Sequence, residues 1–329
     1  MRSKLPIALA GVLALGLSAC STAASDPGSD TTGTTTTLKV STIGLTSDAG
    51  LMLGIDKGFF KDEGLEIEVS TVANPPAGIA AAQSGQIDLA YTPTIPLLNA
   101  MSQGVPLSIV AAADGYEDGA INGDDLTTVD DTGLVVAKDA GIASPKDLEG
   151  KSVAIPARKA QLEVTVSKLI KDDGGDPAKV NWMVLDFASA VQSLKQGRVD
   201  AAALVAPFIG SAQEAGGVLL ASPGIEFFRE GAVGVWVAGQ STVDGKHEAL
   251  AKFQTAINKA NAYANENTDE VQAKAAEVTK QPLEDIQSGT DTYWPTEVRA
   301  ADVERVNKAL VELGFLTEEV NLDQVLFTK

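Results

Sequence analysis

Cysteine occurs once in the 329 residues, at Cys20. A lone thiol closes no internal disulfide and builds no cysteine-based metal site. Histidine is as scarce: His247 is the single one. It stands in Asp244-Gly245-Lys246-His247-Glu248, a polar helix start, where it is expected as a solvated surface residue. A Ser/His/Asp triad or Cys/His pair therefore has little to draw on. No Walker-type or Gly-x-Gly-x-x-Gly loop follows a strand-like run. Aromatic residues make up only 5% against 44% hydrophobic, which suits an Ala/Val/Leu-rich α/β protein rather than a membrane protein. Basic residues are outnumbered 25 to 44, for a formal charge of -19. Such a surface repels nucleic acid and anionic head groups, and no basic patch argues otherwise. The acidity serves solubility and identifies no ligand.

Long apolar runs are absent as well. Leu5 to Leu17 is 13 residues, short of the roughly 20 that a spanning helix requires. With Arg2 and Lys4 ahead of it, the segment 1–19 has the make-up of a signal peptide. It ends in Leu17-Ser18-Ala19-Cys20, which resembles a bacterial lipobox and implies that the Cys20 thiol takes a diacylglyceryl group. Ser21 to Thr37 is Ser/Thr/Ala/Gly/Asp-rich without apolar periodicity, so 20–37 is expected to be a lipidated cysteine and flexible tether. Its extended reach is at most about 60 Å, and as a coil it spans roughly 20–25 Å.

From Leu38 onward strands alternate with helices. Leu38 to Ile43 is strand-like, and Leu51, Ile55 and Phe59 share one face of a helix. Lys57 complements the carbonyl end of that helix. Gly58 and Gly64 supply left-handed turns. Leu65, Ile67 and Val69 then alternate with polar residues as in a strand. This string, Gly54-Ile55-Asp56-Lys57-Gly58-Phe59-Phe60-Lys61-Asp62-Glu63-Gly64-Leu65-Glu66-Ile67-Glu68, resembles the signature near the mature N-terminus of type II solute-binding proteins of the nitrate/sulfonate/taurine/thiamine-pyrimidine family. Glu63-Gly64-Leu65 after Phe59-Phe60 is its most specific part. The likeness extends, more weakly, from about Leu38 to about Thr242. Ser144-Pro145-Lys146-Asp147, a helix-start pattern, opens a stretch similar to the start of that family's second lobe.

The resemblance implies a two-lobed α/β fold of the periplasmic-binding-protein type II kind, each lobe an open sheet with flanking helices. The boundaries expected are 38–139 and 224–329 for lobe 1 and 140–223 for lobe 2, with crossings near 114–140 and 222–232. Two local strings support similar winding in both halves: Gly85-Gln86-Ile87-Asp88-Leu89-Ala90 before Pro93, and Gly197-Arg198-Val199-Asp200-Ala201-Ala202 before Pro207. Asp114 to Asp131 carries seven acids and is expected as a long surface connection. Asp114, Asp118, Gly119 and Asp125 fall at calcium-loop positions, but Tyr116 and Asp125 occupy positions 3 and 12, where acidic or amide residues and glutamate are usual. An acidic solvated loop, with no metal, is the expectation.

Ligands of open α/β sheets bind outside the carboxyl ends of the strands, near helix N-termini. Candidate ligand contacts are therefore Leu45, Thr46 and Ser47; Tyr91, Thr92 and Thr94; Arg158, Lys159 and Gln161; and Pro207 and Phe208. Asp114 and Tyr116 border the same region, and Asp186 with Phe187 ends a further strand. Arg158 offers a bidentate grip on a carboxylate, sulfonate or nitrate. Sulfonate and taurine binders, however, tend to have Gly- and Ser/Thr-rich loops where this chain has Pro156-Ala157-Arg158-Lys159. Trp182 and Trp236 are expected in the core, and Trp294 either in the core or at the cleft rim.

The resemblance implies a lipid-anchored extracytoplasmic binding protein of an ABC importer. It would be a monomer without cofactor that captures a small polar, anion-leaning solute and delivers it to a permease and ATPase complex. Two other readings stand beside this one. A lipoprotein could sense or present its ligand without transport, and a pyrimidine-synthase-like enzyme would need a reactive histidine that His247 does not supply.

Overall fold

The computed structural model describes residues 35–329. The signal segment 1–19, Cys20 and the tether up to residue 34 lie outside the described residues. Thr36 and Thr37, expected in the tether, are already strand: their backbones pair with Leu65 and Glu66.

Ten strands form two five-stranded sheets among the described residues. The first sheet contains β1 (Thr36–Thr42), β2 (Leu65–Thr71), β3 (Leu89–Pro93), β4 (Leu107–Tyr116) and the late strand β10 (Gly231–Gly239). Its order is β2-β1-β3-β10-β4, with β10 antiparallel to both neighbours. The second contains β5 (Thr132–Ala137), β6 (Ser152–Ile155), β7 (Asn181–Val184), β8 (Ala201–Val205) and β9 (Gly217–Ala221), in the order β7-β6-β8-β5-β9. Here β5 is the antiparallel member. The two orders are the same winding with one difference in chain order: the antiparallel strand comes last in the first sheet and first in the second. Thr132–Ala137, assigned by sequence to lobe 1, thus belongs to the second sheet, because its backbone partners are β8 and β9.

The Ile-Asp and Val-Asp strings occupy equivalent places. Asp88 precedes β3, and its Oδ2 accepts the N–H of Lys39 at 2.8 Å. Asp200 precedes β8, and its Oδ2 accepts the N–H of Ser152 at 2.8 Å. Each carboxylate fastens its strand to the parallel neighbour at the end away from the cleft.

Helices cover both faces of each sheet, so the central strands are apolar throughout; every residue of β3 and β10 is buried. On one face of the first sheet, Leu51, Phe60, Trp236, Leu250 and Phe253 form a core with helices Ala49–Asp56 and Gln240–Glu266. On the other, Ile79, Ile95, Leu98, Val235, Val306 and Leu310 pack with helices Pro75–Gln83, Thr94–Met101 and Ala300–Glu312. The signature string is structural here. Gly58 and Gly64 take φ of 79° and 73°. Gly58 also breaks the expected single helix, so that Phe59 begins a second short one, Phe59–Asp62. Lys57 pairs with Glu270 and lies over the Tyr263 ring rather than simply facing solvent. Trp236 is in the core and Trp182 packs partly buried against the second sheet's core. His247 is exposed, with its ring 4.7 Å from that of Phe327.

The acidic connection is not surface throughout. β4 continues to Tyr116, so Asp114 and Tyr116 are strand residues and buried. At the far end Asp130 is 2% exposed. It accepts from the Tyr116 hydroxyl at 2.6 Å, from Thr132 N at 2.9 Å and from Ile225 N at 2.9 Å. Thr132 Oγ1 accepts in turn from Gly224 N at 2.8 Å. Residues 117–131 cross between the sheets and 222–230 return, so Asp130 ties both crossings at one point. In the exposed middle, Asp118 pairs with Arg299 and Asp125 accepts the N–H of Thr127. No group of three or more acids, His or Cys able to hold a metal ion occurs among the described residues.

Candidate functional site: the interlobe cavity

A cavity of about 450 Å³ lies between the two sheets. Its walls are strand ends and the helix starts that follow them. The first lobe contributes Ile43, Leu45, Thr46, Ser47, Asn74, Tyr91, Pro93, Pro96 and Asp114. The second lobe and the adjoining crossing contribute Asp131, Thr132, Pro156, Ala157, Gln161, Leu162, Asp186, Phe187, Val205 and Ala206. At the rim the lobes touch directly: Asn99 Nδ2 donates to the Lys159 carbonyl at 2.7 Å.

Of the residues singled out from sequence, Leu45, Thr46, Ser47, Tyr91, Asp114, Gln161, Asp186 and Phe187 line this cavity. The others do not. Thr92 is fully buried and its hydroxyl donates to the Pro93 carbonyl at 3.0 Å. Thr94 is fully buried in the first turn of its helix. Tyr116 serves the hinge through Asp130. Arg158 is turned onto Glu163, with Nη2–Oε1 at 2.9 Å and Nε–Oε2 at 3.0 Å. Lys159 adopts a φ of 54° and its N–H also donates to Glu163. Pro207 and Phe208 fall behind the wall, where the Phe208 ring stacks on Phe187 at 5.3 Å. The expected anion grip by Arg158 is therefore absent from the cavity: an internal carboxylate occupies the guanidinium fork.

Sequence reasoning missed Asn74, Asp131 and Thr132. Asn74 was legible in principle, since an Asn before Pro-Pro is a helix cap; its Oδ1 accepts Ala77 N at 3.1 Å. It also missed the role of Trp294. That indole is 3% exposed and its Nε1 donates to the Ser47 carbonyl at 3.1 Å. A side chain on Gly50 would stand 2.7 Å from the indole, so the Thr46–Ser47 turn is held by a ring that needs glycine beneath it.

The electrostatics are one-sided. Three aspartates line the cavity, and no Lys, Arg or His does among the described residues. Asp114 is 7% exposed and its Oδ1 has no hydrogen-bond partner. Burial pushes its carboxyl up to about 7, helped by the negative field of Asp48 and opposed by the Tyr91 hydroxyl. Burial and the fields of Asp130 and Asp114 push Asp131 up to about 8. Asp48, fully buried behind Ser47, is raised to about 6 by burial, although its Oδ2 accepts Gly44 N at 2.6 Å and Leu45 N at 3.1 Å. The strand itself presents Asp114. Val233 is an extra residue in β10 opposite Asp114–Gly115, a β-bulge of the kind that re-aims a side chain. Gly234 leaves the space: a Cβ there would sit 2.0 Å from Asp114 Oδ1 and 2.8 Å from the Tyr91 hydroxyl.

Two sheets of common winding, joined by two crossings and enclosing a cavity between strand ends, define a periplasmic-binding-protein fold. Comparison with known proteins gives the family. The model of the NMT1/THI5-like family matches residues 46–271. The taurine-binding periplasmic protein of Escherichia coli is 24% identical over 274 residues, covering 80% of this chain and 81% of that protein. Among solved structures, the periplasmic aliphatic sulphonate binding protein of Escherichia coli superposes with a TM-score of 0.71. It is 18% identical and covers 89% of this chain and 97% of its own. The ligand-binding component of an ABC-type import system from Staphylococcus aureus, solved with zinc bound, also gives 0.71 at 16% identity, covering 88% and 96%. This chain belongs to the NMT1/THI5-like family.

Proposed function

We propose that this chain is the extracytoplasmic solute-binding component of an ABC importer, acting as a monomer that captures a small polar organic molecule between its lobes. The observation that carries this reading is the cavity, whose walls come in near-equal share from both lobes and the crossing beside them. A molecule bound there contacts both lobes at once and so favours the closed arrangement over the open one by its extra contacts. A volume of about 450 Å³ suits a metabolite rather than a peptide. Residues 38–131 and 231–329 form lobe 1 in this proposal, and 132–221 form lobe 2. Delivery to a permease driven by an ATPase is part of the proposal, supported by the likeness to a periplasmic binding protein and to the ligand-binding component of an import system. No reaction is assigned, since the one histidine is exposed and does not line the cavity.

The reading is tested by small-angle scattering on the ligand-free protein before and after addition of a broad metabolite panel. One solute class is expected to shrink the radius of gyration and raise the melting temperature. Compaction by none of them would remove the binding-protein assignment. Membrane attachment through Cys20 is a separate part of the proposal. Cys20→Ser is expected to move the protein from the membrane fraction to the soluble one, and retention in the membrane would refute the lipid anchor.

A further inference from the structure

We infer that the solute is a small organic cation whose protonated nitrogen is bound between Asp114 and Asp131. This rests on the solute-binding reading above and goes further by assigning the ligand's charge. Asp114 is more than nine-tenths buried, lines the cavity and keeps Oδ1 without a partner. Ser47, 5% exposed on the same wall, keeps Oγ without a partner as well. Buried polar atoms left open in this way require a group that arrives from outside. Asp131, on the crossing, lines the same cavity, and no side-chain hydrogen bond or ion pair engages its carboxylate among the described residues.

Two of the helix starts around the cavity are capped by their own side chains: Asp186 takes the N–H of Ser189 at 2.9 Å and Asn74 that of Ala77, whereas the starts after Pro93 and Ala160 carry no side-chain cap. Asp48 takes the N–H groups of Gly44 and Leu45, and Glu163 that of Lys159. An anion entering the cavity would meet three carboxylates and no cationic side chain among the described residues. A cation finds two carboxylates, a hydroxyl, and the rings of Tyr91 and Phe187 for its carbon skeleton. A bare metal ion is disfavoured, because no group of three or more acids, His or Cys able to hold one occurs among the described residues.

The groups facing Asp114 are Asp48, Asp131 and the Tyr91 hydroxyl, with Asp130 behind, so its ionisation at neutral pH awaits a positive partner. Cation binding must therefore displace a proton. From Asp114 alone, at a carboxyl value of about 7, affinity is expected to fall about tenfold between pH 8 and pH 6.

The test is a melting-temperature and calorimetry panel on ligand-free protein with three sets of probes. The cations are ethanolamine, putrescine, agmatine and benzamidine; the neutral probes are benzamide and glycerol; the remaining set is taurine, ethanesulfonate, benzoate and nitrate. At least one cation is expected to bind. Its affinity is expected to drop tenfold or more in Asp114→Asn and in Asp131→Asn, and to fall on acidification. If only neutral, zwitterionic or anionic probes bind, the cation assignment is overturned while the binding-protein reading survives. If no probe of any charge binds, both fail. Unchanged cation affinity in the two well-folded variants would also overturn the assignment of these aspartates.

Discussion

Asp114 illustrates the cost of a prepared site. Its carboxyl is raised from 3.8 to about 7 in the folded protein, so the folded state holds a proton that the unfolded chain releases near pH 4. The penalty is absent below about pH 4, accumulates as pH rises and is complete above pH 7–8. It amounts to a few kcal/mol, because each tenfold change in proton affinity is worth about 1.4 kcal/mol. Ligand-free protein is therefore expected to melt at higher temperature at pH 5 than at pH 8. Asp114→Asn is expected to raise the pH 8 melting temperature and flatten the profile, as read by calorimetric scans. A steeper loss at pH 5 would contradict the burial argument. The sequence could suggest Asp114, as a polar residue at a strand end, but not its partners. Asp131 lay in an acid-rich string indistinguishable from a solvated loop, and its place on the cavity wall is set by the crossing between the sheets. Arg158 was misread for the converse reason: the charge was visible, while the Glu163 that absorbs it lies one helical turn on and looked like an ordinary first-turn acid.

At the scale of elements, the placement of strands and helices along the chain was largely legible, because period-2 and period-3.6 patterns report burial of one face. Breaks within elements were less so. Gly58 ended a helix that the Leu51, Ile55, Phe59 spacing would have carried through. The capping pattern Ser144-Pro145-Lys146-Asp147 closed a 3-10 turn, Pro145–Leu148, instead of opening a helix. The hinge was illegible, since Asp130, Tyr116, Thr132 and Ile225 meet only after both crossings are laid side by side. Asp130→Ala leaves the Ile225 and Thr132 N–H groups and the Tyr116 hydroxyl without their acceptor. It is expected to destabilise by roughly 2–4 kcal/mol, measured as a lower urea midpoint. A loss under about 0.5 kcal/mol, the usual range for an exposed position, would show that the two crossings are held elsewhere.

For the molecule as a whole, the rim contact between Asn99 and the Lys159 carbonyl joins the two lobes directly. Asn99→Ala is expected to leave thermal stability nearly unchanged and to speed ligand release about 2- to 10-fold, the loss of one hydrogen bond of ~0.5–1.5 kcal/mol. Stopped-flow displacement would measure it, and an unaltered release rate would remove this contact from the closing energetics.

The placement of β10 has a consequence for how the chain is made. This strand is the wedge between β3 and β4, yet residues 117–230 separate it from β4. Emerging N-terminus first, a nascent chain presents four strands of the first sheet with a gap between β3 and the edge strand β4, and nothing fills it until Gly231–Gly239 appears. The second sheet, contiguous from Thr132 to Ala221, has all its partners before that moment. Long-range closure comes late and is slow. The first half of the polypeptide is therefore kept from locking into its final shape until Gly231–Gly239 has been made.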